Sequence, residues 1–363
     1  MAQPLALGVD AANLPRDRRG MGRYVRSVLR EFTTRLADRV RVTLLVPDLL
    51  PALSARRYIE GLPGNVSVAR RTQAGRLGLD VIWYPWNGMT WESDVTSVAT
   101  VHDIWPFVAP ALDRHVRERE QTHYRVTCKR AALIIAVSEF TKREMVRHLG
   151  VAPELIRVIP QGVAPPLQVD APARSSLASR YTLFVGEVEP RKDIGTLLAA
   201  MERLPDDVRA DTALVVVGRA HGLAARSHPN VRLELTGELD DDRLLAAWYA
   251  GAAAFAFPSK YEGFGLPVLE AMSYGAPVVA SDAASIPEVG GEAALYFPSG
   301  DAEALAVALT RVLRDVALAA RMRAAGITRA AQFDEATRAR RTLEALESVV
   351  ARTSPAPARA ASE

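Results

Sequence analysis

The sequence predicts an α/β protein with two domains of similar size, each a mostly parallel sheet with helices on both faces. Three observations predict this class. Short apolar segments rich in β-branched residues alternate with longer helical patterns along the chain, which is typical of parallel sheets. A stretch of prolines and small polar residues interrupts this alternation at 160–180. The length of 363 residues also exceeds what one ordinary hydrophobic core holds.

The strand and helix candidates follow one another along the chain. Before the interruption, the predicted strands are 5–10, 40–47, 66–70, 81–85, 97–103, 133–138 and 156–160, and helical patterns cover 21–37, 111–132 and 139–149. After it, the predicted strands are 181–187, 212–218, 231–237, 253–259, 276–282 and 293–298, and a helical end covers 301–352. The predicted domains are 1–165 and 181–335, joined by a linker at 166–180. We expect the helix 336–352 to pack back on the first domain and the tail 353–363 to be disordered.

The composition indicates a soluble protein of a reducing compartment. A hydrophobic fraction of 49% and a charged fraction of 24% are ordinary for soluble domains. The single cysteine, Cys128, excludes a disulfide framework. The first residues, "MAQPLALGVDAANLP", lack the features of a signal peptide, and no apolar run reaches the length of about 18 residues that spans a membrane. We therefore expect a cytoplasmic location.

Charge is unevenly distributed between the two halves. Residues 1–165 contain 24 Lys and Arg against 16 Asp and Glu, a net +8, whereas the remainder contains 21 against 26, a net −5. A basic first half favours an anionic partner, such as a phosphorylated ligand, an acidic membrane surface or a nucleic acid. The alternative is a surface that is simply rich in arginine. Aromatic residues make up 6% of the chain and are not interleaved with a basic stripe, so no nucleic-acid partner is expected.

Two motifs follow predicted strands of the first domain, where parallel sheets bind ligands. In "DAANLPRDRRGMGRYVRSVL", Gly20 and Gly22 stand at a helix start and permit close approach of an anion, with Arg19 adding charge. The alternative is that these glycines only form the turn. In "TVHDIWP", His102 and Asp103 could orient a substrate hydroxyl or share a proton. The alternative is that Asp103 caps a turn and His102 packs in the core.

Two further motifs follow strands of the second domain. In "FVGEVEPRKDIG", Gly186 ends a strand, and the cations Arg191 and Lys192 precede a helix, which suits a diphosphate. We expect Asp193 to cap that helix. Solvated surface charge is the alternative explanation for both cations.

The stretch "SKYEGFGLPVLEAM" places Glu262 in a loop and Glu270 in the first turn of a helix that Pro267 opens. Gly263 and Gly265 expose backbone N–H groups between these carboxylates. A hydroxylated, anionic ligand suits this combination, because carboxylates accept hydrogen bonds from hydroxyls and backbone amides donate to anions. For Glu270 the alternative is compensation of the helix dipole.

No metal site is expected. Asp240 to Asp242 imitate an acidic metal motif, but they directly precede a helical pattern, so Asp240 or Asp241 is better explained as its N-cap. No Cys/His cluster has zinc spacing, and no Walker or GxSxG motif is present.

Taken together, "EGFGLPVLE", "EPRKD", "GMGRY" and "SIPEVGG" resemble motifs of the retaining GT-B glycosyltransferases of the family 4 group. The resemblance runs from Gly8 to about Phe297, and "VHDIWP" is similar to a branch that contains bacterial mannosyl- and rhamnosyltransferases. The resemblance implies two Rossmann-like domains that face each other across a cleft.

The resemblance also implies residue roles. Glu262 would bind hydroxyls of the transferred sugar, Glu270 the ribose, and the residues at 236–239 the base. The implied catalytic set is Glu262, His102, Asp103, Arg191 and Lys192. The implied donor-binding set is Gly20, Gly22, Gly186, Arg191, Lys192, Thr236, Gly237, Glu238, Leu239, Glu262, Gly263, Phe264, Gly265, Leu266 and Glu270.

The implied activity is retaining transfer of a hexose, with mannose favoured, from a GDP- or UDP-linked donor to a saccharide or polyprenyl-diphosphate-linked acceptor. The setting would be the assembly of surface polysaccharide, lipopolysaccharide or glycolipid, without a cofactor or a metal ion. The basic segment 111–130 predicts peripheral contact with anionic lipid at the inner face of the cell membrane. Two alternatives stay open: a GT-B sugar-nucleotide epimerase and a non-catalytic GT-B partner subunit.

Overall fold

The computed structural model describes residues 3–17, 20–47, 56–64, 66–109, 113–220, 222–223 and 228–353. The chain folds into two compact units: Met1–Gly162 together with Glu335–Glu363, and Val163–Asp334. Each unit is built around its own parallel sheet. The predicted α/β class is confirmed.

In the described part of the first unit, seven parallel strands have the order β3-β2-β1-β4-β5-β6-β7. Their bounds are β1 Leu5–Asp10, β2 Val40–Val46, β3 Ser67–Arg70, β4 Val81–Tyr84, β5 Ser97–Val101, β6 Leu133–Ala136 and β7 Ile156–Val158. The helices are α1 Gly20–Thr33, α2 Arg56–Ile59, α3 Trp105–Val108, α4 Arg114–Arg130 and α5 Glu139–Leu149. Every strand predicted before the interruption is present. Strands such as β4 and β5 are buried at each position and have nearly continuous apolar sequences, whereas β3 lies at the sheet edge and is partly exposed.

In the described part of the second unit, six parallel strands have the order β10-β9-β8-β11-β12-β13. Their bounds are β8 Arg180–Val185, β9 Thr212–Val217, β10 Leu233–Gly237, β11 Ala254–Phe257, β12 Val278–Ser281 and β13 Ala294–Phe297. The helices are α6 Ile194–Glu202, α7 Asp206–Asp211, α8 Asp242–Gly251, α9 Leu266–Ser273, α10 Ile286–Gly290, α11 Ala302–Arg314 and α12 Val316–Ala330.

The last helix, α13 (Glu335–Thr353), packs against α1 and therefore completes the first unit. Its buried Leu343 and Leu346 join the same hydrophobic core as Val25 and Phe32 of α1. Residues 354–363 of the tail expected to be disordered lie outside the described residues. Each helix of the described residues is too short or too polar to span a lipid bilayer.

Strand order reverses once in each sheet, between β1 and β4 in the first unit and between β8 and β11 in the second. The chain leaves the neighbouring strands in opposite directions at such a point, which opens a crevice beyond their carboxyl ends. The motifs that follow β8 and β11 therefore lie on adjacent strands and face the same crevice of the second unit.

Candidate functional site

A buried ion pair lies at the reversal point of the second sheet. The ammonium of Lys192, which follows β8, donates a hydrogen bond to Oε1 of Glu262, which follows β11, over 2.5 Å. The guanidinium of Arg191 lies 3.5 Å from the other carboxylate oxygen. Glu262 and Lys192 are only 7% and 8% exposed. The structure thus brings Glu262 to the adjacent cations Arg191 and Lys192, which lie about 70 positions earlier in the sequence.

The loop after β8 positions Arg191 and Lys192 beside Glu262. A short 3-10 turn, Pro190–Lys192, carries both of them, and the Lys192 ammonium lies 5.3 Å from the ring centre of Phe257 at the end of β11. The amide of Lys260 donates to the carbonyl of Arg191 over 2.8 Å, which ties the two loops together. Backbone and side-chain contacts therefore hold the pair from both strands.

Asp193 stands at the predicted N-cap position of α6, but the prediction of a side-chain cap is wrong. Its backbone is left-handed, with φ of 49°, and its side chain makes no cap hydrogen bond. The carboxylate instead accepts from the hydroxyl of Thr196 and pairs with Lys260 at 3.0 Å. The cap predicted for α8 is confirmed, since Asp241 accepts from the amide of Arg243.

The electrostatics keep Glu262 ionised. Burial raises the pKa of this carboxyl, but the adjacent charges of Lys192 and Arg191 outweigh that effect, so its pKa lies below the ordinary value. The Arg191 Nε also donates to Glu189 over 2.8 Å. Glu262 is therefore suited to accept hydrogen bonds and poorly suited to donate a proton.

Hydrogen bonds from Ser285 hold the "EGFG" backbone in place. The Ser285 hydroxyl lies 2.9 Å from the carbonyl of Glu262 and 2.8 Å from that of Phe264 and donates to this carbonyl pair. Gly265 has φ of 102°, a conformation that favours glycine, and α9 begins at the next residue, Leu266. Gly263 and Phe264 are buried within this turn.

Glu270 lies on α9 and is held by a residue that the sequence analysis missed. The hydroxyl of Tyr249, on α8, donates to Glu270 Oε2 over 3.0 Å, and both side chains are buried. Tyr249 falls in an apolar helical pattern, so its sequence context indicates core packing and gives no signal of a link to a carboxylate 21 residues away.

The remaining donor-set residues of the second unit follow or end strands of its sheet. Gly186 follows β8 directly. Thr236 and Gly237 end β10, which is two strands away from β8. Glu238 pairs with Arg219 over 2.7 Å, and Leu239 is half-buried. Their assignment to the nucleotide base stays a prediction.

In the first unit, both ring nitrogens of His102 have hydrogen-bond partners within the protein. Its Nε2 lies 3.0 Å from the carbonyl of Pro85, and its Nδ1 lies 3.1 Å from the amide nitrogen of Gln161. The carbonyl only accepts and the amide nitrogen only donates, so the ring is neutral with its proton on Nε2. Burial lowers its pKa from 6.5 to about 4. His102 is therefore not poised for acid/base exchange near neutral pH.

Asp103 and His102 share a second support that the sequence analysis missed. The side-chain oxygen of Asn87, a residue with φ of 61°, accepts from the backbone amides of His102 at 2.5 Å and of Asp103 at 3.3 Å. The Asp103 carboxylate accepts from the amide of Trp105 over 2.9 Å. This contact agrees with the alternative in which Asp103 caps a turn.

The glycines before α1 have an internal explanation. A Cβ at Gly22 would lie 1.8 Å from the carbonyl oxygen of Asp17, so the close approach of that loop requires glycine here. Gly20 is exposed and starts the helix with φ of 38°. Arg19 lies outside the described residues. The turn-forming alternative thus accounts for Gly22, and its contact with a donor stays a prediction.

A polar cluster at the end of β1 also escaped the sequence analysis. The fully buried carboxylate of Asp10 accepts from Arg71 over 2.7 Å and from the hydroxyl of Thr90 over 3.3 Å. The guanidinium of Arg71 also lies 5.3 Å from the ring centre of Trp91. Thr90 is exposed, so this cluster reaches the surface at the carboxyl edge of the first sheet.

The Glu262–Lys192 pair predicts a specific stability pattern. Replacing Glu262 by Gln leaves the Lys192 charge buried without its partner, and removal of one partner of such a pair costs about 3–5 kcal/mol. Adding Lys192→Met removes the stranded charge and is expected to restore most of that loss. Calorimetric unfolding of the full chain measures both changes. A double variant less stable than Glu262→Gln would contradict the prediction.

The environment of His102 predicts a pH dependence. Because the folded state depresses its pKa from 6.5 to about 4, the unfolded state takes up the proton first, and stability is lost as pH falls below 6.5. Between pH 7 and pH 5 the loss is about 2 kcal/mol. His102→Gln is expected to lack this component in denaturant titrations, and His115→Gln, at an exposed position of α4, to retain it. An equal pH slope in wild type and His102→Gln would contradict the assignment.

Family models match both units of the chain. One described as "Glycosyltransferase Family 4" matches residues 18–165, and one described as "Glycosyl transferases group 1" matches residues 179–315. The O-antigen chain mannosyltransferase B of Escherichia coli is 34% identical over 260 residues, which are 65% of this chain and 66% of that protein. The serotype-specific mannosyltransferase WbdA of Escherichia coli is 26% identical over 89% of this chain and 39% of its own length. The chain thus spans less than two thirds of the length of these relatives.

Solved structures show the same fold. Sucrose-phosphate synthase from Thermosynechococcus elongatus superimposes with a TM-score of 0.72 at 20% identity, covering 97% of this chain and 100% of that one. Anabaena HepE in complex with UDP and glucose gives a TM-score of 0.70 at 18% identity, covering 95% and 100%. The resemblance found in the motifs is confirmed by these matches. The chain belongs to glycosyltransferase family 4 and has the GT-B fold.

Proposed function

We propose that the chain is a retaining glycosyltransferase that moves a hexose from a nucleotide sugar to a hydroxylated acceptor. The observation that carries the proposal is the buried cluster of Glu262, Lys192 and Arg191 at the reversal point of the second sheet. An ionised carboxylate is a strong acceptor for sugar hydroxyls, and cations attract a diphosphate. The second unit supplies both within one cluster.

The chemistry follows from where charge develops. Cleavage of a sugar–phosphate bond leaves positive charge on the sugar ring and negative charge on the departing diphosphate. Fixed donors aimed at the diphosphate stabilise that state, and one such donor contributes about 3 kcal/mol. Lys192 and Arg191 take this role in the proposal, and Glu262 orients the sugar by accepting from its hydroxyls. Retention of configuration is part of the proposal because it accompanies the family motifs.

Mannose is the favoured sugar in this proposal. Both relatives described above are mannosyltransferases, and one of them acts on O-antigen chains according to its name. We propose GDP-mannose as donor and a saccharide, free or linked to polyprenyl diphosphate, as acceptor. The complex of HepE with UDP and glucose supports UDP-glucose as the second candidate donor.

The first unit is proposed to bind the acceptor. In its strand-end cluster, the exposed Thr90 donates a hydrogen bond to the buried Asp10 carboxylate, which pairs with the half-buried Arg71. His102 and Asp103 follow β5 at the carboxyl edge of the same sheet. Hydroxylated ligands are recognised by such combinations of planar charged groups and hydroxyls.

Transfer activity tests the proposal. Glu262→Gln keeps the shape of the side chain but removes its charge, so we expect kcat/KM for GDP-mannose with a mannosyl acceptor to fall by about 100-fold or more. Glu292→Gln, at an exposed position of the same unit, is the matched control and is expected to stay near wild type. Folding of each variant is verified by circular dichroism at the assay temperature.

The same assay separates the alternatives. The proposal expects turnover that persists in EDTA, because the two cations carry the diphosphate charge. Conversion of the donor without acceptor would indicate an epimerase, and nucleotide-sugar binding without turnover would indicate a non-catalytic subunit. Near-normal turnover by folded Glu262→Gln would contradict the assignment of Glu262.

Peripheral membrane contact is proposed for α4, at the cytoplasmic membrane face. Arg114 and Arg119 are 85% and 74% exposed, and an exposed cation near anionic lipid contributes about 1 kcal/mol. Their pairing with Glu118 and Glu120 weakens the attraction.

Vesicle cosedimentation measures this contact. We expect binding to phosphatidylglycerol vesicles that falls at high salt, because screening weakens exposed charges. Arg125→Gln with Lys129→Gln on α4 is expected to reduce binding, whereas Arg30→Gln on α1 with Arg35→Gln in the turn that follows α1 is expected to leave it unchanged. Binding that is absent, or equal on neutral vesicles, would refute the contact.

A further inference from the structure

We propose that Tyr249 is a positioning residue that orients Glu270 for recognition of the donor ribose. The inference rests on the proposed function, in which Glu270 accepts hydrogen bonds from ribose hydroxyls. It adds a residue that no family motif described above contains. Tyr249 acts through Glu270 and is not itself assigned a contact with substrate.

The contact between the two residues is buried. Tyr249 is 1% exposed and Glu270 is 7% exposed, and 3.0 Å separates the tyrosine oxygen from Oε2. The phenol donates and the carboxylate accepts. A charge-assisted hydrogen bond away from water is stronger than its solvent-exposed equivalent, so it defines the direction in which the carboxylate points.

The tyrosine ring is itself immobilised. Tyr274 stacks parallel to it with ring centres 5.8 Å apart, and Phe255 packs at 5.7 Å with a tilt of 54°. The helix that carries Tyr249, α8, is fixed at its start by the Asp241 cap. These contacts restrict the position of the Tyr249 hydroxyl and, through its hydrogen bond, the orientation of the Glu270 carboxylate.

Another buried tyrosine of the unit shows what a purely structural hydroxyl does. Tyr181 donates to the backbone carbonyl of Trp248 over 2.7 Å. Tyr249, one residue further along α8, donates to a side-chain carboxylate on another helix. Of these two tyrosines, Tyr249 is the one whose partner, Glu270, is proposed to bind the ligand.

The Tyr249 hydroxyl is expected to affect the binding of nucleotides that carry ribose hydroxyls. Two adjacent ribose hydroxyls bind well to a carboxylate only when its oxygens are held in one orientation, because an ordered group loses less entropy on binding. Loss of the Tyr249 hydroxyl should therefore weaken binding of nucleotides with ribose hydroxyls and spare nucleotides that lack them.

The test compares Tyr249→Phe with wild type in the full chain by titration calorimetry. The probes are GDP and UDP, each paired with its 2′,3′-dideoxy analogue. The Kd of the nucleotide that wild type binds more tightly is expected to rise about three- to tenfold, the range of one lost hydrogen bond. The Kd of the dideoxy analogue is expected to stay within about twofold, so discrimination between the two ligands is reduced.

Tyr274→Phe is the matched control. It changes the partner ring in the same stack and removes the hydroxyl oxygen that accepts from the amide of Leu167, while the bond from Tyr249 to Glu270 is kept. It should retain the wild-type discrimination. If Tyr249→Phe weakens both members of a nucleotide pair equally, or neither, the inference is overturned.

One further result separates this inference from the proposed function. Wild type that binds a nucleotide but does not distinguish it from the dideoxy form would overturn the ribose role of Glu270 and, with it, that of Tyr249. Wild type that binds neither nucleotide nor nucleotide sugar would contradict the proposed function itself.

Discussion

The ion pair between Glu262 and Lys192 is the interaction on which the second unit is organised. It joins the segments that leave adjacent central strands in opposite directions, and it does so with both charges buried. Buried pairs of this kind seldom stabilise a fold more than apolar residues of equal size would. Two cations and a carboxylate held in one place are instead what a nucleotide sugar requires. Ser285 holds the loop that carries Glu262, and Tyr249 holds the carboxylate of Glu270 on the following helix.

The strand ends of the first unit use polar groups differently. His102 has partners on both ring nitrogens, and Asn87 accepts from the amides of His102 and Asp103. These contacts stiffen the loop after β5 and leave the histidine neutral. The "HD" motif therefore shapes the loop, whereas the cluster of Asp10 and Arg71 reaches the surface through the exposed Thr90.

Sequence patterns could predict the central strands because a buried parallel strand is a local run of apolar residues; β9, for example, is buried at each of its positions. They could also predict Glu262 and Lys192, since glycine-rich loops after strands stand out locally. They could not predict Tyr249, Gln161 or Arg71, whose partners lie 21, 59 and 61 residues away and whose local contexts resemble core or surface. Gly22 shows the converse: a glycine that suggested a ligand has a complete steric explanation in the Asp17 carbonyl.

The decisive measurement is a crystal structure of the chain with GDP-mannose bound. We expect diphosphate oxygens within hydrogen-bonding distance of Lys192 or Arg191, a mannose hydroxyl donating to Glu262, and ribose hydroxyls at Glu270. A donor bound with its diphosphate away from both cations would contradict it.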